Sequence, residues 1–382
     1  MTKDPDKLTV GLDIPAAVGM SLAEVCTPAL IIDLDAFEAN VATLRARLQA
    51  AGVRLRAHAK THKSVDIARF QVEQGGACGI CCQKVSEAEV MVRGGIGDVM
   101  VSNQVTDPGK IERLARLAQT ARVLVCVDDP GNVETLAAAA REHGVILECL
   151  VEIDCGANRC GVEPGASAVD IARKIEASDG LKFAGLQSYQ GAAQHIRNYD
   201  ERRQTLDAAI AQTRNTIDLL TEAGLPCETV AGAGTGSYRF EAGSGIYNEM
   251  QCGSYIFMDA DYQRVLDENG ERISEFGNSL FIWTGIMSKT RETEAVCDAG
   301  LKVLSADSGL PLVYGRDDIE YVSISDEHGV LTDPHNRLRL NDKLKLIPGH
   351  CDPTCNLHDW YVGIRNDRVE CLWPVSARGM AF

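Results

Sequence analysis

From residue 27 to 255 the chain alternates short apolar runs with segments of helical periodicity, which is the pattern of successive βα units. The apolar runs are continuous rather than alternating, as is typical of strands buried on both faces. Eight such runs predict an α/β fold, a (βα)8 barrel of the TIM type with its active site at the carboxyl ends of the strands. The predicted strands are 30–34, 54–58, 79–82, 98–103, 122–127, 146–154, 183–189 and 229–235.

The predicted helices between these strands have recognisable ends. Asp35 is expected to cap the first helix, and Gly52 lies just past its end. Gly144 and Gly224 are expected to end two later helices, the second of which is long and covers about 201–223.

After residue 255 the pattern changes to short β-type runs separated by turn residues, with no long helical periodicity. This predicts a separate C-terminal β-domain, residues 256–382, after a barrel domain of residues 27–255. Residues 1–26 are expected to be an extension that packs with the β-domain. Residues 365–368 are expected to form a hairpin connection of undecided turn type.

Composition narrows the classes of partner. The chain is 45% hydrophobic and 24% charged, as in a globular protein with a sizeable core, and its net charge is −16. That charge argues against binding to nucleic acid or an anionic membrane, although a small anionic substrate stays possible in a locally positive pocket. The N-terminus has no apolar stretch of a signal peptide, so we expect a cytoplasmic location.

The fourteen cysteines are expected to be reduced, buried thiols, because disulfides are rare in the cytosol. Three pairs have a spacing that could form half of a zinc or iron–sulfur site: Cys78 and Cys81, Cys155 and Cys160, Cys351 and Cys355. None has a second half at suitable spacing, which favours core packing.

Lys60 is the first candidate for catalysis, because it lies just beyond a predicted strand, at the mouth of the barrel. A desolvated lysine near other cations has a lowered pKa and forms imines readily. His58, His62 and Lys63 suggest such a cationic neighbourhood. Lys63 is the competing candidate, spacing alone does not choose between them, and a surface role is the ordinary one for either.

A glycine-rich loop, residues 231–237, follows the last predicted strand, and Gly253-Ser254 lies close behind it in the sequence. Glycines let backbone N–H groups approach an anion, and Thr235 and Ser237 add hydroxyl donors. The position after the last strands of a barrel favours phosphate binding, although a simple tight turn is the alternative.

His350 and Asp352 are a third feature, since residues two apart on an extended backbone point to the same face. One imidazole and one carboxylate could hold a divalent ion whose other ligands are water. A turn with a capping aspartate is the alternative, and Cys351 is expected to face the other way and pack.

Linked motifs over nearly the whole chain resemble the D-threonine aldolase family. They are TPALIIDLDAFEANV (27–41), RAHAKTHKS (56–64), GICCQKVSEAE (79–89), EIDCGANRCGV (152–162), LQSYQG (186–191), GAGTGS (232–237), GSYIFMDADY (253–262) and HCDPTCNLHDWYVGIR (350–365). The resemblance implies the fold of alanine racemase, a barrel that binds pyridoxal 5'-phosphate plus a β-domain, and a homodimer in which one subunit's β-domain completes the other's site.

The resemblance also implies a role for each matching residue. Lys60, rather than Lys63, would bind the pyridoxal phosphate covalently, and His195 would lie near the substrate hydroxyl. The remaining cofactor contacts would be Gln83, Arg159, Tyr189, Thr235, Gly236, Gly253 and Ser254, and the ligands of Mg2+ or Mn2+ would be His350 and Asp352. The loop has Ala233 where the family usually has glycine, a change expected to cost little unless the backbone needs positive φ.

Three further stretches, 11–20, 307–318 and 372–379, resemble members of the family that cleave 3-hydroxy-D-aspartate to glycine and glyoxylate. Such a substrate carries a second carboxylate, for which Arg316, Arg239 and Arg291 are candidates, with Arg316 preferred because it lies in 307–318. The implied reaction is a retro-aldol cleavage, with the metal lowering the pKa of the β-hydroxyl and His195 or a metal-bound water as base.

Other activities stay open. D-Threonine cleavage is the nearest alternative. A D-serine or 3-hydroxy-D-aspartate dehydratase would share the fold, but those relatives tend to have His-x-Cys at the metal, where this chain has His350-Cys351-Asp352. A racemase would leave the metal motif without purpose, and a non-catalytic pyridoxal-phosphate carrier would need only the barrel.

Overall fold

The first strand of the chain, β1 (Ala29–Asp33), does not belong to the barrel, which corrects the prediction. In the computed structural model, which describes residues 8–382, β1 lies in the C-terminal sheet. It pairs antiparallel with residues 280–283 and parallel with residues 361–364. The apolar run predicted a strand buried on both faces, and β1 is one. Hydrophobicity indicates burial but does not identify the partner strands.

The helix that follows, α1 (Leu34–Ala51), begins two residues earlier than predicted. Its cap is Asp33, whose side chain accepts a hydrogen bond from the Ala36 N–H at 3.1 Å, so Asp35 lies in the first turn. At the other end Gly52 adopts a φ of +69°, which confirms it as the residue that ends the helix.

Eight parallel strands then close a barrel in chain order, which confirms the predicted fold. They are β2 (Arg54–His58), β3 (Gly79–Cys82), β4 (Asp98–Gln104), β5 (Arg122–Val127), β6 (Leu147–Glu152), β7 (Leu181–Ser188), β8 (Thr229–Gly232) and β9 (Glu249–Met250). Seven match predicted runs. The eighth, β9, has only two residues and is too short to show a hydrophobic pattern. Because β2 is the first barrel strand, Lys60 follows strand one of the barrel and the glycine-rich loop follows strand seven.

Helices connect the strands and cover the outside of the barrel. They are α2 (Val65–Glu73), α3 (Val85–Arg93), α4 (Pro108–Leu117), α5 (Pro130–His143), α6 (Ala166–Glu176), α7 (Tyr199–Glu222) and α8 (Tyr238–Gly243). Gly144, with a φ of +62°, ends α5 as predicted. Gly224, with a φ of +76°, lies just past Ala223, the C-cap of α7. The helices and strands bury one large apolar core, and a second small cluster that includes Met100, Leu124 and Leu150 fills the barrel interior.

The predicted β-domain is a nine-stranded sheet. Its C-terminal elements are β10 (Leu280–Ser288), β11 (Glu294–Cys297), β12 (Leu312–Val313), β13 (Tyr321–Ile324), β14 (Gly329–Thr332), β15 (Lys343–Ile347), the short helix α9 (Cys351–Cys355), β16 (Trp360–Arg365) and β17 (Arg368–Pro374). The main path runs β13-β14-β11-β10-β1-β16-β17. Asn366 and Asp367 join β16 to β17 with φ of 50° and 55°, which is a type I′ turn.

The segment before β1 packs on this sheet. Gly19 donates a backbone hydrogen bond to Val369 at 2.9 Å, and Leu22 donates one to Asp367 at 2.8 Å. Ala16, Leu22 and Val25 join the apolar cluster on that face of the sheet. The domain boundaries at 27 and 256 stay a prediction.

All fourteen cysteines are free thiols, but only nine are buried as expected; Cys78 is exposed, and Cys26, Cys160, Cys227 and Cys371 are half-buried. Within residues 8–382 no helix has both the length and the apolar character needed to cross a membrane.

Candidate active site

Lys60 lies in the turn after β2, at the mouth of the barrel. Its Nζ is 2.5 Å from Oδ2 of Asp352, which the C-terminal domain contributes from α9. Lys63, the competing lysine, instead donates to Glu87 at 2.9 Å and does not line the adjoining cavity. The site is therefore built where the two domains meet.

The charge environment of Lys60 differs from the prediction. Burial, aided by the charge of Lys60, lowers the pKa of His58 to about 3, and burial lowers that of His62 to about 3, so both imidazoles are neutral. The Asp352 carboxylate raises the pKa of Lys60 above its ordinary value. The prediction of a lysine activated by neighbouring cations is therefore wrong, because the sequence does not show which charges are buried.

A cavity of about 260 Å³ opens beside Lys60. Its lining includes the predicted cofactor contacts Lys60, Gln83, Arg159, Tyr189, Thr235, Gly253 and Ser254. Gly236 does not line it but lines a neighbouring cavity of about 460 Å³, which Thr235 also lines. The structure thus brings all but one of these predicted contacts around a single space.

One hydroxyl group in this lining, Thr235 Oγ1, is buried without a hydrogen-bond partner among the described residues. A buried hydroxyl without a partner costs about 1–3 kcal/mol, so such groups are usually satisfied by a bound ligand or water. Thr235 follows strand seven of the barrel, and Gly253 and Ser254 follow strand eight. These are the positions at which barrels of this type bind phosphate.

The glycine-rich loop is held from behind by side chains. Gly234 N–H donates to Ser237 Oγ at 3.2 Å, and Gly236 N–H donates to Gln194 Oε1 at 3.0 Å. Ala233 adopts a φ of +68°, so the backbone at this position does need a positive φ, and alanine in place of glycine is strained there. A non-glycine residue in the left-handed region costs on the order of 1 kcal/mol, and here the loop bears that strain.

Glu241 lies in α8, behind the loop. Ser237 Oγ donates to its Oε1 at 2.9 Å, while within residues 8–382 its buried Oε2 has no partner. Burial raises the pKa of Glu241 to about 7. The glycine-rich loop is therefore held from behind by a carboxyl group whose pKa is near neutral.

His350 and Asp352 lie at the start of α9, not on one extended strand as predicted. His350 is extended, with φ of −146° and ψ of 122°, and is the residue before the helix, whereas Asp352 lies in its first turn. Pro353 fits the first turn of a helix because its φ is already fixed near the helical value. Cys351 is buried, as expected.

The surroundings of these two side chains differ. His350 Nδ1 lies 2.8 Å from Asp307 Oδ2, which leaves Nε2 free to bind. Burial opposes the charge on Asp352, but the Lys60 ammonium outweighs it and holds the pKa of that carboxyl well below its usual range. No group of three or more His, Cys, Asp or Glu side chains suited to a metal occurs in residues 8–382. A metal here would therefore have two protein ligands.

His195 ends a 3-10 turn (Ala192–His195). Its Nδ1 lies 2.8 Å from Asp261 Oδ2, and its ring centroid is 6.4 Å from that of Tyr262, which lines the cavity. Arg197 contacts both the carboxylate and the backbone carbonyl of Asp261. Asp261 thus fixes the orientation of the imidazole and leaves its Nε2 free.

The three arginines proposed for a second substrate carboxylate do not line the 260 Å³ cavity. Arg316 makes a two-point contact with Asp318, at 2.8 and 3.1 Å. Arg291 is 75% exposed and pairs with Glu294, and Arg239 pairs with Glu275. Each already has a carboxylate partner.

Sequence reasoning missed two acids that hold the site histidines, Asp261 and Asp307. Both lie in stretches on which the family resemblance rests, GSYIFMDADY and DSGLPLVYGRDD. Their place in these motifs was the available signal, but the pairing with a histidine 66 or 43 residues away depends on the tertiary fold.

Comparison with known proteins agrees with this geometry. The family model for the alanine racemase N-terminal domain matches residues 32–261, and a serine dehydratase domain model matches residues 279–364. A 3-hydroxy-D-aspartate aldolase from Paracoccus denitrificans is 56% identical over 98% of this chain and 97% of its own. A D-threonine aldolase from Arthrobacter sp. is 42% identical over 97% and 98%. The chain belongs to this family of aldolases.

A solved member, the D-threonine aldolase from Filomicrobium marinum, superposes with a TM-score of 0.94 at 48% identity and covers 96% of this chain and 100% of its own. The resemblance inferred from the motifs is therefore confirmed, as are the alanine racemase-like fold and the assignment of the chain as a lyase.

Proposed function

We propose that the protein is a pyridoxal-phosphate-dependent aldolase that cleaves 3-hydroxy-D-aspartate to glycine and glyoxylate. The observation that supports it most is the position of Lys60. This lysine lies beside a cavity that is also lined by the unpartnered Thr235 hydroxyl, and it forms an ion pair with Asp352 of the other domain. The 56% identical relative of that name, matched over nearly the whole chain, favours this substrate over D-threonine.

The cavity residues fit pyridoxal phosphate. The Thr235 hydroxyl and the backbone around Gly253 and Ser254 would hold the phosphate, and Tyr189 would contact the ring. Lys60 is the lining residue with a primary amine, so it would carry the covalent attachment. When bound, the cofactor supplies an electron sink for the pair released as the Cα–Cβ bond breaks.

His195 would remove the proton of the β-hydroxyl. Its Nδ1 is committed to Asp261, so the neutral ring carries its lone pair on Nε2, where it can accept a proton. The carboxylate of Asp261 then stabilises the charged imidazolium, as in other Asp–His pairs. The His195 side chain is 56% exposed, which would leave this base accessible to substrate.

His350 and Asp352 fit a divalent ion such as Mg2+ or Mn2+. A ligating histidine is generally oriented by a carboxylate on its other nitrogen, and Asp307 occupies that position on His350. The buried Asp352 supplies the negative charge. Two protein ligands would leave the remaining positions to water and to substrate oxygens.

The test is a product assay with purified, cofactor-loaded protein and either Mg2+ or Mn2+. We expect glycine and glyoxylate from 3-hydroxy-D-aspartate, with slower acetaldehyde release from D-threonine. Release of oxaloacetate and ammonia would identify a dehydratase, which is the activity named for a Delftia relative that is 27% identical. Acetaldehyde as the faster product would identify a D-threonine aldolase.

The metal is tested separately with His350→Ala. We expect this variant to lose cleavage while keeping the visible absorbance of the bound cofactor, because the histidine belongs to the metal pair and not to the cofactor cavity. Full activity of the metal-stripped variant would contradict the metal assignment.

A homodimer and a cytoplasmic location are part of the same proposal. The homodimer follows from the family resemblance, and light scattering during size-exclusion chromatography measures it directly. Cell fractionation tests the location.

A further inference from the structure

This inference rests on the proposed function and concerns how the substrate's second carboxylate is recognised. In 3-hydroxyaspartate the β-carbon carries both the hydroxyl and this carboxylate. The group that binds the carboxylate must therefore lie close to the groups proposed to act on the hydroxyl, which are His195 and His350. A buried or half-buried carboxylate needs a cation or several hydrogen-bond donors.

Arg264 is the candidate for this group, because it contacts the segments that hold both histidines, although it does not itself line the 260 Å³ cavity. It ends the 3-10 turn Tyr262–Arg264, whose first residue lines the cofactor cavity. Its Nη1 donates to the carbonyl of Ser308 at 3.1 Å and lies 3.9 Å from Asp261 Oδ1. The guanidinium is therefore held against two different segments of the mouth.

Each of these segments also holds one of the two histidines. The other oxygen of Asp261, Oδ2, is 2.8 Å from His195, and Asp307, the neighbour of Ser308, is 2.8 Å from His350. Arg264 thus links the segment that orients the proposed base with the segment that orients the proposed metal ligand.

The guanidinium of Arg264 keeps donors available. Its side chain is 44% exposed, and within residues 8–382 the Nη1–Ser308 contact is its only hydrogen bond. By contrast, Arg197 uses both terminal nitrogens on Asp261. Arg159 lies 5.7 Å from the centre of the Tyr189 ring, on the cofactor side of the site.

Gly309 makes room for this arrangement. A Cβ at that position would lie 3.1 Å from Nη2 and 3.3 Å from Nη1 of Arg264, tighter than most real contacts. Its φ of +111° is also one that other residues rarely adopt. Gly309 belongs to the stretch 307–318, which resembles members that cleave 3-hydroxy-D-aspartate, so this stretch reaches the site through its first three residues and not through Arg316.

We propose that Arg264 binds the β-carboxylate of the substrate and determines specificity for 3-hydroxy-D-aspartate over D-threonine. It acts on binding and not on the bond-breaking step. D-Threonine carries a methyl group in place of this carboxylate, so its cleavage does not depend on the guanidinium.

The first test compares Arg264→Gln, Arg264→Lys and wild type in steady-state kinetics with both substrates. A hydrogen bond between charged groups is worth enough that we expect kcat/KM for 3-hydroxy-D-aspartate to fall at least about tenfold in Arg264→Gln, mainly through KM. For D-threonine we expect less than about a threefold change, and Arg264→Lys should recover part of the loss. Equal losses for both substrates, or no loss for 3-hydroxy-D-aspartate, would overturn the proposal.

Arg203→Gln is the matched control, because Arg203 is an exposed arginine of α7 that pairs with Asp207 within its own helix. It removes the same charge from the molecule without touching the mouth. A loss in this control equal to that in Arg264→Gln would show a general effect of net charge and would also refute a specific role.

A second measurement does not depend on turnover. The cofactor absorbance of the loaded enzyme is titrated with D-aspartate, which keeps the carboxylate but lacks the hydroxyl, and with D-2-aminobutyrate, which has neither. We expect Arg264→Gln to weaken D-aspartate binding at least about tenfold and to leave D-2-aminobutyrate binding unchanged. If wild type releases no glyoxylate, the proposed function fails, yet this titration still decides whether Arg264 binds the carboxylate.

Discussion

Replacing Glu241 by glutamine should stabilise the protein at alkaline pH and have little effect at acidic pH. The carboxyl is fully buried behind the glycine-rich loop, and burial raises its pKa from 4.5 to about 7. The folded state therefore holds a proton on Glu241 between these two pH values, where the unfolded chain has released it. Because the folded state binds more protons, stability decreases as pH rises through this window.

The size of the effect follows from the same two values. One pH unit of pKa difference corresponds to about 1.4 kcal/mol, so charging Glu241 in the folded protein costs on the order of 3 kcal/mol once the pH exceeds 7. Glutamine keeps the shape, and its Oε1 can accept the Ser237 hydrogen bond, but it has no charge to bury.

The assay is urea unfolding of wild type and Glu241→Gln at pH 5 and pH 8.5, followed by tryptophan fluorescence. We expect the midpoints to be close at pH 5, and the variant to be more stable by about 3 kcal/mol at pH 8.5. Glu222→Gln, at an exposed position at the end of α7, is the control and should show no pH-dependent difference. A Glu241→Gln effect of the same size at both pH values would refute the reasoning, because it would have to arise from packing and not from ionisation.

Three further changes test other parts of the structure. Asp307→Ala removes the carboxylate that orients His350 and should weaken Mn2+ binding about 10- to 100-fold, as isothermal titration calorimetry would measure; unchanged affinity would contradict the metal pair. Glu249→Gln removes one of the two carboxylates that pair with the buried Arg56 guanidinium, which is 1% exposed, and leaves only the partly exposed Asp98. It should lower the free energy of unfolding in urea by about 3 kcal/mol; a loss below about 1 kcal/mol would mean that Asp98 alone is sufficient. Gly185→Ala places a Cβ 1.9 Å from the backbone oxygen of Thr229 in the next strand, at a φ of +137°. It should lower the free energy of unfolding by about 3 kcal/mol or prevent folding; a urea midpoint equal to that of wild type would show that the barrel adapts at this point.

The sequence predicted what depends on local pattern. Seven barrel strands, the helix ends at Gly52 and Gly144 and the β-rich C-terminal region all follow from hydrophobic period and turn residues. The pattern did not distinguish β1 from a barrel strand, because both kinds of strand are apolar on each face. It also missed β9, which has two residues.

The site was predicted in the same uneven way. Motif resemblance predicted Lys60, Thr235 and Ser254 as cofactor contacts, and all three line one cavity. The carboxylates of Asp261 and Asp307 were not predicted, since their partners lie far away in the chain and are set by packing between domains. The cationic environment expected for Lys60 was wrong for a related reason: burial removes the charge from His58 and His62, and the sequence does not give burial.

The position of β1 makes the C-terminal sheet depend on both ends of the chain. In that sheet β1 lies between β10 and β16, so the barrel is an insertion between the first strand of the sheet and the rest of it. A fragment that begins at residue 256 would lack a central strand, and the facing edges of β10 and β16 would be left without hydrogen bonds. During synthesis, all eight barrel strands have been made by residue 250, while β1 must wait for residues 361–364 to complete its pairing. The Lys60–Asp352 contact therefore forms only after the last part of the chain has joined its first strand.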